Sequence, residues 1–121
     1  MERRARLYER RAQLCALLAH PLRLQILDEL RRGATCVYHL WQMTGRSQPV
    51  ISQHLRRLRE AGLVVARRHG SRVFYGLPSR PDLDALLNDL LGPRVEDRYI
   101  PPQACEGCLP TAGAISETKR R

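Results

Sequence analysis

The sequence predicts a mainly helical domain of about five helices with one β-hairpin, and three observations predict it. Apolar residues, chiefly leucine, recur at helical spacing in five separate stretches. Two β-branched or aromatic runs, "LVVARR" and "RVFYGL", flank a His69-Gly70-Ser71 turn. The 121 residues are 43% hydrophobic but only 5% aromatic, enough for one small core that must be built from leucine rather than from rings.

Each element follows from its own pattern. In "RRARLYERRAQLCALLAH", Leu7, Arg11, Leu14 and Leu18 share one stripe, with Leu17 beside it, and an arginine-rich back faces away. Pro21 opens a second helix, in which Leu22, Ile26, Leu27 and Leu30 recur, and Gly33 closes it. Thr35 is placed to cap a short third helix that runs to about Gln42. Met43-Thr44-Gly45-Arg46 then makes a turn, with Gly45 suited to a positive φ. Ser47 is placed to cap a fourth helix, and Pro49 is tolerated because first-turn amides have no intrahelical partner. Val50, Ile51, Leu55 and Leu58 form the buried edge of that helix, and Gly62 stops it. After the hairpin, "DLDALLNDLL" gives a fifth helix with Leu83, Leu86, Leu87, Leu90 and Leu91, ended by Gly92-Pro93. From about residue 94 the chain is rich in Pro and Gly and lacks periodicity. The expected division is a domain over 1–93 and a C-terminal tail over 94–121.

Charge gives this outline a partner. There are 21 basic and 12 acidic residues, a net +9, which points to a polyanion. Between residues 46 and 77 stand seven arginines and a single acid, Glu60. Two short helices joined by a tight turn and followed by a basic hairpin make a winged helix-turn-helix. Opposite its leucine edge, the second of those helices carries Gln48, Ser52, Gln53, Arg56 and Arg57, with Ser47 and His54 beside them. Gln pairs with adenine edges, Arg with guanine or phosphate, and Ser with either. Arg67, Arg68 and Arg72 flank the hairpin tip, placed for phosphates or the minor groove. A merely solvated charged face would not need this polar row in register with a helix-turn-helix. Double-stranded DNA is therefore the expected partner.

The stretch "LAHPLRLQILDELRRGATCVYHL…SQPVISQHLRRLREAGLVVARRHGSRVFYGL" resembles the ArsR/SmtB family of bacterial transcriptional regulators, over roughly residues 15–91. "HPLRLQIL", "S-x-x-x-x-S-Q-H-L-R-x-L-R-E-A-G-L-V" and "R-x-G-x-x-x-x-Y-x-L" follow in the family's order. The resemblance implies a homodimeric repressor on an imperfect palindromic operator, released by an inducer. Inducers in the family are mostly metal or metalloid ions, with some members sensing reactive sulfur or oxidants. Dimerisation has separate support, because the first and last helices carry more leucine than a small core needs.

Four cysteines narrow the inducer. Metal-sensing members often begin the third helix with Cys-Val-Cys. Here "TCVYHL" keeps Cys36 but has Tyr38 where the second cysteine stands, and His39 follows as either a ligand or an ordinary core or surface residue. The family's other site needs Asp and His on the last helix, and "LDALLNDLL" has no His. The tail segment "QACEGCLP" places Cys105 and Cys108 in a C-x-x-C that can grip one soft ion. Cys36, expected in the first turn of helix three where the dipole favours a thiolate, completes a three-sulfur site. Such a site suits arsenite or antimonite, and also cadmium or lead. Cys15 reads as a small buried hydrophobe on the first helix.

A disulfide or persulfide switch between Cys36 and the tail is the alternative. The C-x-x-C could instead be an inert or zinc-clip tail. A thiol enzyme is disfavoured, because the motif lies in a Pro-flanked tail rather than at a helix start after a strand, so a non-enzymatic regulator is expected. The charged start lacks a signal-peptide core, and no apolar run approaches a membrane span. A cytoplasmic, non-membrane protein with thiols or metal thiolates rather than structural disulfides is the expectation.

Overall fold

Leucine at helical spacing sets the architecture. In the computed structural model, which describes residues 2–94, the order is α1 (Glu2–Leu18), α2 (Pro21–Leu30), β1 (Thr35–Cys36), α3 (Val37–Thr44), α4 (Gln48–Glu60), β2 (Val65–His69), β3 (Arg72–Gly76) and α5 (Pro81–Leu91). This is a winged helix-turn-helix. All four apolar residues expected of α2 are buried, as are Ile51, Leu55 and Leu58 of α4 and Leu83 and Leu87 of α5. Leu40 from α3 and Leu63 and Val64 after α4 join them in one cluster. Burying each such side chain is worth about 1.5–3 kcal/mol, which makes this cluster the main source of stability.

The helix boundaries have local causes. His20 caps α2, its Nδ1 accepting from the Leu22 amide at 3.1 Å, and Pro21 fills the first turn. Gly45, at φ 74°, closes α3 in the left-handed conformation that the turn requires. At the start of α5, Arg80 forks onto Asp82, with its Nη2 at 2.7 Å from Oδ2, and reaches the Gly62 carbonyl at the end of α4. At the other end, the buried Arg31 donates to Asp28 at 3.1 Å and to the Gly92 carbonyl, while Arg94 donates to the Arg31 carbonyl. These contacts fasten both ends of α5 to the helix-turn-helix body.

The sheet adds an element the sequence patterns do not reveal. β1 pairs antiparallel with β3, which pairs with β2, in the order β1-β3-β2. Its registers are Thr35 with Tyr75 and Cys36 with Phe74. The third helix is accordingly capped at Cys36, not at Thr35, and Cys36 sits in a strand rather than in the first helical turn. Two bridged residues carry no periodicity, and pairing with the wing took precedence over the capping propensity of threonine. Thr35 Oγ1 is buried without a hydrogen-bond partner, consistent with a backbone held by the sheet rather than by its side chain.

Cys15 departs from its expected place. It is an exposed free thiol. On α1 only Leu14 and Leu18 are buried, and Cys15 lies one residue, about 100° of helix, round from Leu14.

Leu83 anchors α5 with no exposed surface, so Leu83→Ala is expected to cost about 2–5 kcal/mol in urea unfolding. A loss under about 1 kcal/mol would mean that α5 does not share this core.

Candidate nucleic-acid interface

The helix-turn-helix is α3, a three-residue turn and α4. Thr44 stitches the turn: its hydroxyl donates to the Leu40 carbonyl at 2.8 Å and accepts from the Arg46 amide at 3.2 Å. The Gly45 amide returns to the Trp41 carbonyl at 2.9 Å, and the Ile51 amide to the Ser47 carbonyl at 3.0 Å. Gly45 was legible in the sequence. Thr44 was not singled out there, because a hydroxyl closing a turn looks like any loop threonine.

With Ile51, Leu55 and Leu58 turned inward, the opposite face of α4 is fixed outward. Ser47, Gln48, Ser52, Gln53, Arg56 and Arg57 are all exposed. Gln48, Ser52 and Arg56 lie at i, i+4 and i+8 along one row, and Gln53 and Arg57 along the next. Ser47 occupies the N-cap position but makes no side-chain cap bond, so its hydroxyl stays available to a ligand. The row spans about 15 Å, or about four base pairs at 3.4 Å each. Arg56 approaches Glu60 at 3.9 Å, but both side chains are more than two-thirds exposed, so the pair is weak and does not tie Arg56 down. Arg46 is also exposed, at the foot of the same helix.

On the wing, Arg68 and Arg72 are exposed near the tip, while Arg67 is half-buried and lies opposite Phe74 in the β2–β3 register. The hairpin thus presents Arg68 and Arg72 to solvent near its tip, with Arg67 one residue further in.

His54 stands apart from the groove row. It is half-buried, its Nδ1 accepts from Arg23 Nε of α2 at 3.1 Å, and its ring meets His20 edge-on at 4.5 Å. Arg23 also donates to the Leu17 carbonyl at 3.1 Å, so this node joins α1, α2 and α4. Burial pushes the His54 pKa down, and the neighbouring positive groups of His20, Arg23, Arg57 and Arg46 push it the same way. The geometry gives His54 to helix positioning. The sequence pattern Q-H-L could not show this, because the partner lies 31 residues away.

His39 is in the core at 4% exposure, with Nε2 3.9 Å from Glu29. Burial lowers its pKa, partly offset by Glu29. Cys36 is 5% exposed, packs against Tyr38 and is disulfide-bonded. Cys105, Cys108 and the rest of the tail lie outside the described residues. A thiol is the expectation from compartment alone, but a disulfide needs only two sulfurs held together. Among the described residues no three His, Cys, Asp or Glu side chains are grouped to hold a metal. No described helix is long and apolar enough to cross a membrane.

Residues 20–65 match the family described as bacterial regulatory protein, arsR family. A biofilm growth-associated repressor of Xylella fastidiosa is 42% identical over 66 residues, 54% of this chain and 58% of that protein. The HTH-type transcriptional repressor SmtB of Mycobacterium tuberculosis is 40% identical over 65 residues, 54% of this chain and 48% of that protein. The chain thus spans about half the length of these curated relatives. Among solved structures, the homodimeric winged helix-turn-helix DNA-binding domain of a possible ArsR-family regulator from Mycobacterium bovis superposes with a TM-score of 0.66. It is 34% identical, and the match covers 74% of this chain and 82% of that one.

The two depressed imidazoles set a pH dependence. Folded His39 and His54 titrate below 6.5, so the unfolded chain binds more protons in acid. Their stabilising contribution is complete above pH 6.5 and is lost as pH falls through the folded values. Asp82 does not contribute there, because Arg80 holds its carboxyl below 3.8. The melting temperature should therefore hold steady at neutral pH and decline as the pH falls below 6.5. A His39→Gln/His54→Gln variant should show a flatter decline. An equal decline in that variant would put the acid sensitivity elsewhere.

Proposed function

The chain belongs to the ArsR family of bacterial regulatory proteins, and from that premise we propose that it is a homodimeric repressor gripping duplex operator DNA until a soft metal or metalloid ion binds its cysteine thiolates. The observation that carries the DNA-binding half is the exposed row of Ser47, Gln48, Ser52, Gln53, Arg56 and Arg57, backed by a buried edge that prevents the helix from rolling. In this reading α4 enters the major groove, where Gln53 and Arg57 read base edges and the serines and Arg56 settle on phosphates or bases. Arg68 and Arg72 of the wing, with Arg67 behind them, neutralise neighbouring phosphates and release counterions. His54 acts through Arg23 and His20 by holding α4 against α2.

The dimer rests on α1 and α5. Tyr8 and Leu90 are 61% and 54% exposed, and Leu7, Leu17, Leu86 and Leu91 are only half-buried, so both helices keep apolar surface for a second copy. Two-fold symmetry then sets two copies of α4 about 34 Å apart on successive major grooves of an imperfect palindrome. A cytoplasmic regulator without enzymatic activity fits this arrangement.

For the inducer, the described residues contribute one sulfur, Cys36, and a trigonal site for arsenite, antimonite, cadmium or lead needs Cys105 and Cys108 as well. It also needs Cys36 reduced. Cys36 caps α3 and pairs with Phe74 of the wing, so a load there bears on both DNA-contacting parts at once. By linkage, ion and operator weaken each other by the same factor. A second reading, a redox or reactive-sulfur switch, is favoured by one observation: Cys36 is disulfide-bonded.

Gln53→Ala and Arg57→Ala should each weaken operator binding by about 1–3 kcal/mol in gel shifts while leaving circular dichroism unchanged. Arg68→Ala or Arg72→Ala should weaken all duplexes alike and lower the log–log salt slope by about 0.9 each. Unaltered affinity in all four variants would refute the interface. Cys36→Ser, or Cys105→Ser with Cys108→Ser, should preserve binding and abolish release. Release by arsenite or cadmium with reductant present supports the ion site, whereas release by oxidant or persulfide, reversed by reductant, supports the redox switch. Inducible release that survives in both cysteine variants would remove sulfur from the mechanism.

A further inference from the structure

The outer edge of α3 carries an aromatic pair that the DNA interface does not use. Trp41 is 40% exposed, an unusual state for a large ring in a core this poor in aromatics. Tyr38 meets it edge-on at 5.4 Å, and Gln42 Nε2 donates to the Tyr38 hydroxyl at 3.1 Å, so the two rings are held rather than loose. Tyr38 in turn packs against Cys36. Tyr38 and Trp41 therefore form one strip on the outer side of α3, half-buried at Tyr38 and open at Trp41, with the buried Cys36 beneath its strand end.

We propose that this strip is the docking surface for the chain's own segment 100–110, "IPPQACEGCLP". Three observations select that occupant. The described chain ends at Arg94, whose side chain donates to the carbonyl of Arg31, five residues before Cys36 in the sequence. Cys105 lies eleven residues beyond Arg94, a reach of up to about 36 Å when extended. The segment's chemistry also suits the surface. Pro101, Pro102 and Pro110 favour an extended backbone with little entropy left to lose, and Tyr and Trp rings are the usual seats for such Pro-rich chains. Ile100 and Leu109 add apolar surface at the two ends.

The inference deepens the sulfur-sensing reading and rests on it for its regulatory meaning. The aromatic strip would position the tail sulfurs over Cys36 and shield the site from water. A docked segment would also load α3, the helix that backs α4.

Trp41 is the chain's single tryptophan, so its fluorescence reports this surface alone. In the full chain, acrylamide quenching should show Trp41 protected. Leu109→Asp and Ile100→Asp should abolish that protection, whereas Ala112→Asp, outside the segment, should leave it intact. Trp41→Ala, read by operator release, should raise the inducer concentration required without changing operator affinity. Quenching as free as that of N-acetyltryptophanamide in the unaltered protein overturns the docking. So does protection that rises with protein concentration and ignores Leu109→Asp, which would assign the strip to a second copy. If Leu109→Asp exposes Trp41 while no ion, oxidant or persulfide releases DNA, the docking stands and the sulfur-sensing reading falls. If the cysteine variants lose release but Trp41 is always exposed, the reverse holds.

Discussion

The inward turn of three residues, Ile51, Leu55 and Leu58, is the constraint on which the rest depends. They leave at most 1% of their surface exposed and fix the roll of α4 about its own axis. At 100° per residue, an error of one position would swing the row from Gln48 to Arg57 away from any groove. The polar face needs no hydrogen bonds to define it, since it is where it is because the apolar face is somewhere else. The Arg23–His54 bond adds a polar pin at the same joint, and Thr44 holds the turn that sets the angle between α3 and α4.

A second joint lies at Cys36. That residue ends β1, caps α3 and is registered with Phe74 in the wing. Three elements with separate roles therefore meet at one backbone position. From there α3 leads through the turn into α4, and β3 leads back from the wing tip. The exposed Cys15 on α1 occupies no such junction.

Much of this was legible beforehand. The five helices, the hairpin, the positive φ at Gly45 and the exposed row on α4 follow from spacing and turn chemistry, since these are local properties. What was missed is non-local in each case. β1 exists only because β3 lies beside it. His54 looks like part of the row, and it takes a partner on α2 to draw it inward. Cys15 has the neighbours of a core residue in sequence, yet the apolar edge of α1 is too narrow to include it. His39, open in the sequence between ligand and core residue, lies buried with its Nε2 3.9 Å from Glu29.

By itself, then, the sequence determined which faces are oily, which are cationic and where the chain must turn, because periodicity, glycine and charge act within a few residues of themselves. Only the tertiary structure decided which histidine turns toward α2, which cysteine stands at the junction of helix and wing, and which aromatic pair lies on the outer side of α3. Those outcomes depend on contacts between residues far apart in the chain, whose geometry no local pattern encodes.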